Sequence, residues 1–169
     1  AYAGKGRFPE PLPLRVLFTA YPNIVHMLSL RDSGIQSIDD LAGKRVALGA
    51  QGSGTSVAAI NILTGLGLSL DDIAPRYLSF GETTSGLKDG TLDAGFVVGG
   101  MGIAAVTELS VTRDIEIISL SDAEIDRLIQ QFPAYSGYLS PGETYSGVNE
   151  PRQTLGIWSA VVVHEAMPE

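Results

Sequence analysis

The chain contains no cysteine. Disulfide frameworks, thiolate metal sites and cysteine nucleophiles are therefore excluded together, while cytosolic and exported settings both stay open. Histidine is scarce: His26 and His164 are far apart, and with carboxylates scattered singly they give no ligand spacing for zinc or calcium. Positive charge is scarce as well. Lys and Arg total 11 against 19 Asp and Glu, for a net charge of −8, and the largest basic cluster is the pair Lys44-Arg45. That balance argues against nucleic acid and anionic membrane surfaces as partners. It does not exclude a small anion, because donors in a site act within about one Debye length, roughly 8–10 Å. Long apolar runs are missing too. GIWSAVVVH, near the end, is far shorter than the roughly 20 residues of a spanning helix, so no direct membrane span is expected.

What is present is a globular composition. With 44% hydrophobic and 18% charged residues over a length of 169, the chain can build one packed core. Its first residues, AYAGKGRFPEPLP, lack an initiator Met, a basic n-region and an apolar h-region, and so do not form a signal peptide. Residues 1–13 have the Gly/Pro content of a linker. At the other end Pro168 stands where a further helix would start. The expectation is a piece of a longer protein.

The most informative stretch is RVALGAQGSGTSVAAINILTGLG, Arg45 to Gly67. Val46-Ala47-Leu48 has the apolar run of a buried strand, and Ala59, Ile60, Leu63 and Leu66 follow at helical spacing. Gly65 and Gly67 are expected to stop that helix. Between strand and helix lies Gly49-Ala50-Gln51-Gly52-Ser53-Gly54. A strand, a glycine turn and a helix in this order aim unpaired N–H groups at one point, where the helix dipole favours an anion. The turn is either an ordinary strand-to-helix loop or a seat for a small anion. It has neither the G-x-G-x-x-G spacing of a dinucleotide fold nor the lysine of a phosphate-binding loop.

A second strand–glycine turn–helix is expected at 92–109, with Gly99-Gly100-Met101-Gly102 at the break; here close helix–strand packing competes with binding as the explanation. Around these two units the pattern predicts strands at 14–21 (broken by Pro22), 25–30, 76–79, 115–120 and 154–164. It predicts short helices from Ser37 to Gly43, from Ser79 through Leu87, and from Asp122 to Phe132, and an irregular segment from Tyr135 to Gly147. Alternation of this kind argues for an α/β class: a mixed, mostly parallel sheet with helices on both faces. Such sheets bind ligands at strand carboxyl ends, where both glycine turns fall.

Catalysis finds little support. Gly52-Ser53-Gly54 lacks the G-x-S-x-G elbow, and His26 and His164 sit in or at the end of apolar strands, as structural histidines do. The acidic pairs Asp39-Asp40 and Asp71-Asp72, and Glu82, fall at helix starts, where the dipole explains them. Tyr21 and Phe80, at predicted strand ends, are candidate cleft walls, whereas Trp158 is expected in the core.

The segment SIDDLAGKRVALGAQGSGTSVAAINILTGLGLSLDDI, followed by YLSFGETTSGLKDGTLDAGFVVGGMGIAAVTELSVTRDIEIISL, resembles the TAXI family, the solute receptors of TRAP transporters. GAQGSGT, LSFGE, LKDGTLDAGFVV and TRDIEIISL, in that order, carry the likeness, which extends over essentially the whole chain. It implies a type II periplasmic-binding-protein fold in which residues 14–164 form the second lobe. Residues 14–21 and 154–163 would cross to a first lobe, and 165–169 would begin a closing connection. It implies a periplasmic or extracytoplasmic location, a membrane-embedded TRAP permease as partner and a small carboxylate ligand, such as a glutamate-like amino acid or a dicarboxylate. No cofactor, no metal and no catalysis are implied. The family's glycine–serine–threonine turn matches Gln51, Gly52, Ser53, Gly54, Thr55 and Ser56; Gly99, Gly100 and Met101, with Tyr21 and Phe80, complete the expected ligand site. The family more often has a proline after its FVV strand, so Gly99–Gly102 departs from it, and neither turn holds an arginine. The alternative reading is the effector domain of a LysR-type transcription regulator, and a third an enzyme on the same fold.

Overall fold

The computed structural model describes residues 10–168; residues 1–9 of the expected linker lie outside them, as does Glu169. Eleven regular elements follow in the order β1 (Leu14–Leu30), β2 (Arg45–Ala47), α1 (Gly54–Leu66), β3 (Ala74–Arg76), α2 (Phe80–Lys88), β4 (Ala94–Gly99), α3 (Ala104–Thr112), β5 (Ile115–Ile117), α4 (Asp122–Gln131), β6 (Tyr135–Ser140) and β7 (Arg152–His164). The chain divides into a larger unit, Asn23–Ile157, and a smaller one holding the outer stretches of β1 and β7.

The strands form one sheet in the order β3-β2-β4-β1-β7-β6, with β5 also on β1. β2 is parallel to β3 and β4, whereas β1 is antiparallel to β4 and β5. The strands β2 to β5 therefore share one direction. Side chains alternate between the faces, as the pleat requires. On one face Val25, Met27, Val46, Ala94 and Phe96 pack with Ala58, Ile62 and Leu63 of α1 and Leu128 of α4. On the other, Leu28, Ala47 and Val97 pack with Leu87 of α2 and with Val106 and Leu109 of α3. The expected mixed sheet with helices on both faces is what forms.

Several elements differ in detail from the sequence expectation. No break occurs at Pro22: β1 is continuous, and its ladder with β4 begins at Ile24, so the N–H missing at Pro22 is not required there. β3 comes earlier than expected and contains Pro75, which an edge strand tolerates. The expected helix from Ser37 is a single 3-10 turn, Asp39–Leu41, with Asp40 accepting from the backbone of Gln36 and Ser37. Gly65 does not end α1. It lies buried within the helix, where a Cβ would stand 2.6 Å from Leu128 Cδ2, so it serves the α1–α4 contact; Gly67, at φ 99°, is the terminator. The segment expected to be irregular contains β6, which pairs residue by residue with β7 from Tyr135–Ile157 to Ser140–Arg152. Trp158 is 54% exposed rather than in the core, because it lies just past the last β6–β7 pair.

In the smaller unit, Val16, Leu17, Phe18, Tyr21, Val161 and Val162 are exposed. The amide of Glu165 donates to Pro13, 2.9 Å, and the Arg15 guanidinium donates to the Met167 carbonyl. Among the described residues no helix is long and apolar enough to cross a membrane.

The two central strands are clamped at their start. Asp93 Oδ2 accepts from the Arg45 amide at 2.8 Å and from its Nε at 2.9 Å, and Oδ1 accepts from Nη2 at 2.7 Å. The Arg45 hydrogen bonds hold the Asp93 carboxyl down at about 2, against an ordinary value of 3.8. A depressed carboxyl contributes stability above its unfolded value that is lost as pH falls. Chemical unfolding between pH 7 and pH 2 should therefore show stability fading from near 3.8 down through about 2. Asp93→Asn should flatten that limb and cost about 1 kcal/mol at neutral pH, a partly exposed pair contributing no more.

Candidate functional site at the carboxyl ends of the central strands

β2 and β4 are adjacent and parallel, with Val46 beside Ala94 and Ala47 beside Gly95. The chain leaving β2 enters α1 on one face, and the chain leaving β4 enters α3 on the other. Loops that diverge in this way leave a crevice at the strand carboxyl ends, the usual ligand position in such sheets.

The first turn is set by glycine. Gly49 and Gly52 have φ of 82° and 70°, a region L residues avoid. A Cβ on Gly49 would stand 2.5 Å from Thr55 Cγ2, so the threonine methyl packs directly on the glycine backbone. Ser53 caps α1: its Oγ accepts from the Ser56 amide at 3.1 Å, and Ser56 Oγ donates to the Ser53 carbonyl at 2.9 Å. The amides of Gly54 and Thr55 belong to the first turn, which has no intrahelical acceptors to offer them. α2 and α4 carry capping boxes, Ser79 with Glu82 and Ser121 with Glu124, whereas α1 has no acidic residue in its first turn. The positive end of its dipole is thus free of a carboxylate from its own helix.

Gly54 and Thr55 line a cavity of about 280 Å³ with Asn23, Val98 and Ile157. These three walls come from β1, β4 and β7, and nothing in the sequence marked them; the sheet register alone brings them to the turn. Of the other expected residues, Gln51 is exposed, Gly52 and Ser53 are half-buried, and Ser56 is buried. Gly99 ends β4 opposite Ile24, and a Cβ on it would stand 2.6 Å from Ile103 Cδ1. Gly100 and Met101 are half-buried, and Ser140 Oγ lies 3.8 Å from Met101 Sδ. Phe80 is the first residue of α2 rather than a strand end and packs against the α2–α3 core. It does not line the cavity. Tyr21 is exposed in the smaller unit.

The histidines serve structure. His26 is buried, with Nδ1 3.2 Å from the Val97 carbonyl and Nε2 2.8 Å from the Tyr145 hydroxyl. Burial pushes its pKa down, with the Val97 and Ile24 carbonyls opposing. His164 is exposed, and its Nδ1 accepts from the Ala166 amide. Among the described residues no three His, Asp or Glu side chains gather as a metal site.

The sequence profile of the NMT1-like family matches residues 1–169. The chain belongs to that family. Among solved structures, this NMT1-like chain is similar to the periplasmic aliphatic sulphonate binding protein SsuA of Escherichia coli, with 21% identity and a TM-score of 0.53 over 63% of this chain and 36% of that one. The alkanesulfonate-binding SsuA of Xanthomonas axonopodis pv. citri, solved with MOPS, matches with 24% identity and a TM-score of 0.51 over 63% and 36%. The sulfonate-binding SsuA of Methylobacillus flagellatus KT matches with 20% identity and a TM-score of 0.53 over 87% and 36%. The likeness shows the fold, the mixed α/β fold of periplasmic binding proteins. The aligned region is 36% of the length of each of these proteins.

The contact between Gly49 and Thr55 is testable. Gly49→Ala adds a methyl at left-handed φ and into the Thr55 side chain, which should lower stability by about 1–3 kcal/mol. Thermal unfolding measures this, and an unchanged melting temperature would mean the turn is not held as described.

Proposed function

We propose that this NMT1-like chain is one lobe of an extracytoplasmic solute receptor whose ligand is a small carboxylate. The observation behind the reading is the seat formed by the start of α1. Its first-turn amides and capping hydroxyl sit at the strand carboxyl ends, beside a cavity walled by Asn23, Val98 and Ile157, with no acidic residue in that first turn. The amides of Gly54 and Thr55, supported by Ser53, Thr55 and Ser56, would hold the carboxylate. Gly99, Gly100 and Met101 would border it, and Phe80 would wall the cleft more distantly. Residues 14–164 would form the second lobe, joined to a first lobe through the outer parts of β1 and β7. The exposed apolar residues there, Val16, Leu17 and Phe18, are of the kind a further core would bury. The two lobes would close over the ligand without making or breaking a bond.

The resemblance to TAXI receptors supports a TRAP permease as the partner and a carboxylate, such as a glutamate-like amino acid or a dicarboxylate, as the solute. Helix N-terminal amides would accept a sulfonate by the same chemistry, so alkanesulfonates belong in the same screen. In the two-lobed protein, Ser53→Ala combined with Thr55→Val should weaken binding of small acids about tenfold or more, two lost hydroxyl interactions contributing roughly 1 kcal/mol each. Isothermal calorimetry decides it. Unchanged affinity in the double variant refutes the assignment of this turn, and tighter binding of alkanesulfonates than of carboxylates refutes the solute class.

A further inference from the structure

The second glycine turn has a feature that the ligand seat does not use. Its sequence, Gly99-Gly100-Met101-Gly102, has little rigidity of its own, since glycine has wide backbone freedom, and Gly102 is at φ 71°. Its shape has to be imposed from outside. Tyr145, in the loop between β6 and β7, supplies that constraint. Its hydroxyl oxygen accepts from the Gly102 amide at 3.1 Å. Tyr145 is itself buried, and its ring meets that of His26 edge to face at 5.5 Å.

The direction of the relay follows from the chemistry of each atom. The Val97 carbonyl only accepts, so His26 Nδ1, 3.2 Å away, carries the hydrogen. In the neutral ring Nε2 is then a pure acceptor, and the 2.8 Å contact is Tyr145 donating to it. The lone pairs of the tyrosine oxygen are left for the Gly102 amide. The relay therefore runs from the Gly102 amide through Tyr145 to His26 and ends on β4, the strand that leads into the same turn.

We propose that Tyr145, oriented by His26, is the positioning residue of the second glycine turn, holding Gly99–Gly102 in the shape that meets the ligand. The proposal rests on the small-acid receptor reading of this crevice. Protonation of His26 breaks the relay. Nε2 becomes a donor, so the Tyr145 hydroxyl can no longer donate to it and has to turn its hydrogen away. The groups facing the imidazole are the Tyr145 hydroxyl from the β6–β7 loop, the Val97 carbonyl from β4 and the Ile24 carbonyl from β1. Tyr145 is the titratable one among these, and none carries a charge at neutral pH.

The test uses the two-lobed protein with L-glutamate and succinate as probes at pH 7.5, and L-glutamate alone as the pH is lowered while the protein stays folded, because succinate itself takes up a proton on the way; calorimetry is read together with the 15N-resolved Gly102 amide. Tyr145→Phe keeps the ring and removes only the hydroxyl. It should weaken binding about five- to tenfold, the scale of one lost buried hydrogen bond, and should move the Gly102 amide resonance. With L-glutamate, affinity in the parent protein should fall on the acid side of the ordinary imidazole range, where burial moves the protonation of His26, and in His26→Gln that fall should be absent, which a purely structural role would not produce. Should Tyr145→Phe bind like the parent while Ser53→Ala/Thr55→Val binds weakly, the positioning role is overturned and the receptor reading stands. Should the parent bind neither probe, both fall. An unmoved Gly102 resonance in Tyr145→Phe overturns the relay itself.

Discussion

The parallel contact between β2 and β4, Val46 beside Ala94 and Ala47 beside Gly95, is the constraint on which the rest depends. It is short, so it is clamped at one end by the Arg45–Asp93 pair. At the other end the two chains part to opposite faces. Every candidate ligand group follows from that parting. α1 begins where β2 stops, α3 begins where β4 stops, and the space between is bounded by the strands that continue past them. Were the two strands exchanged with another neighbour, the same motifs would point at different places.

Around this contact the two turns solve opposite problems. The first holds itself, through Gly49 beneath Thr55 and Ser53 capping its own helix. All its constraints lie within a few residues. The second is held from a distance, with Tyr145 separated from Gly102 by 43 positions. Local constraint makes the first turn insensitive to changes elsewhere, whereas remote constraint makes the second dependent on how the loop after β6 is packed.

The same difference decides what could be read from sequence. α1 was legible because its glycine turn, its apolar spacing and Gly67 are all local signals. The helix start at Ser79 and Glu82 was legible for the same reason, as were two of the cavity's walls, Gly54 and Thr55. β6 was not: Tyr-Ser-Gly-Tyr-Leu-Ser has no strand pattern of its own and becomes a strand through β7. Asn23, Val98 and Ile157 were missed because three distant strands must be in register before they meet. Trp158 differs from its expected place because an apolar run need not be a buried one, and Gly65 because a packing glycine and a terminating one look alike in sequence.

The unequal distribution of carboxylates over the helix starts has a kinetic consequence. Asp72, Glu82 and Glu124 are held at their own caps, and the chain as a whole carries −8, yet the first turn of α1 carries no acid. On the proposed reading, an anion approaching this chain would be repelled at long range and attracted only over the last few ångströms. Added salt screens the first force within a Debye length and leaves the second nearly intact. Encounter with an anionic solute should therefore quicken as ionic strength rises, the reverse of electrostatic steering.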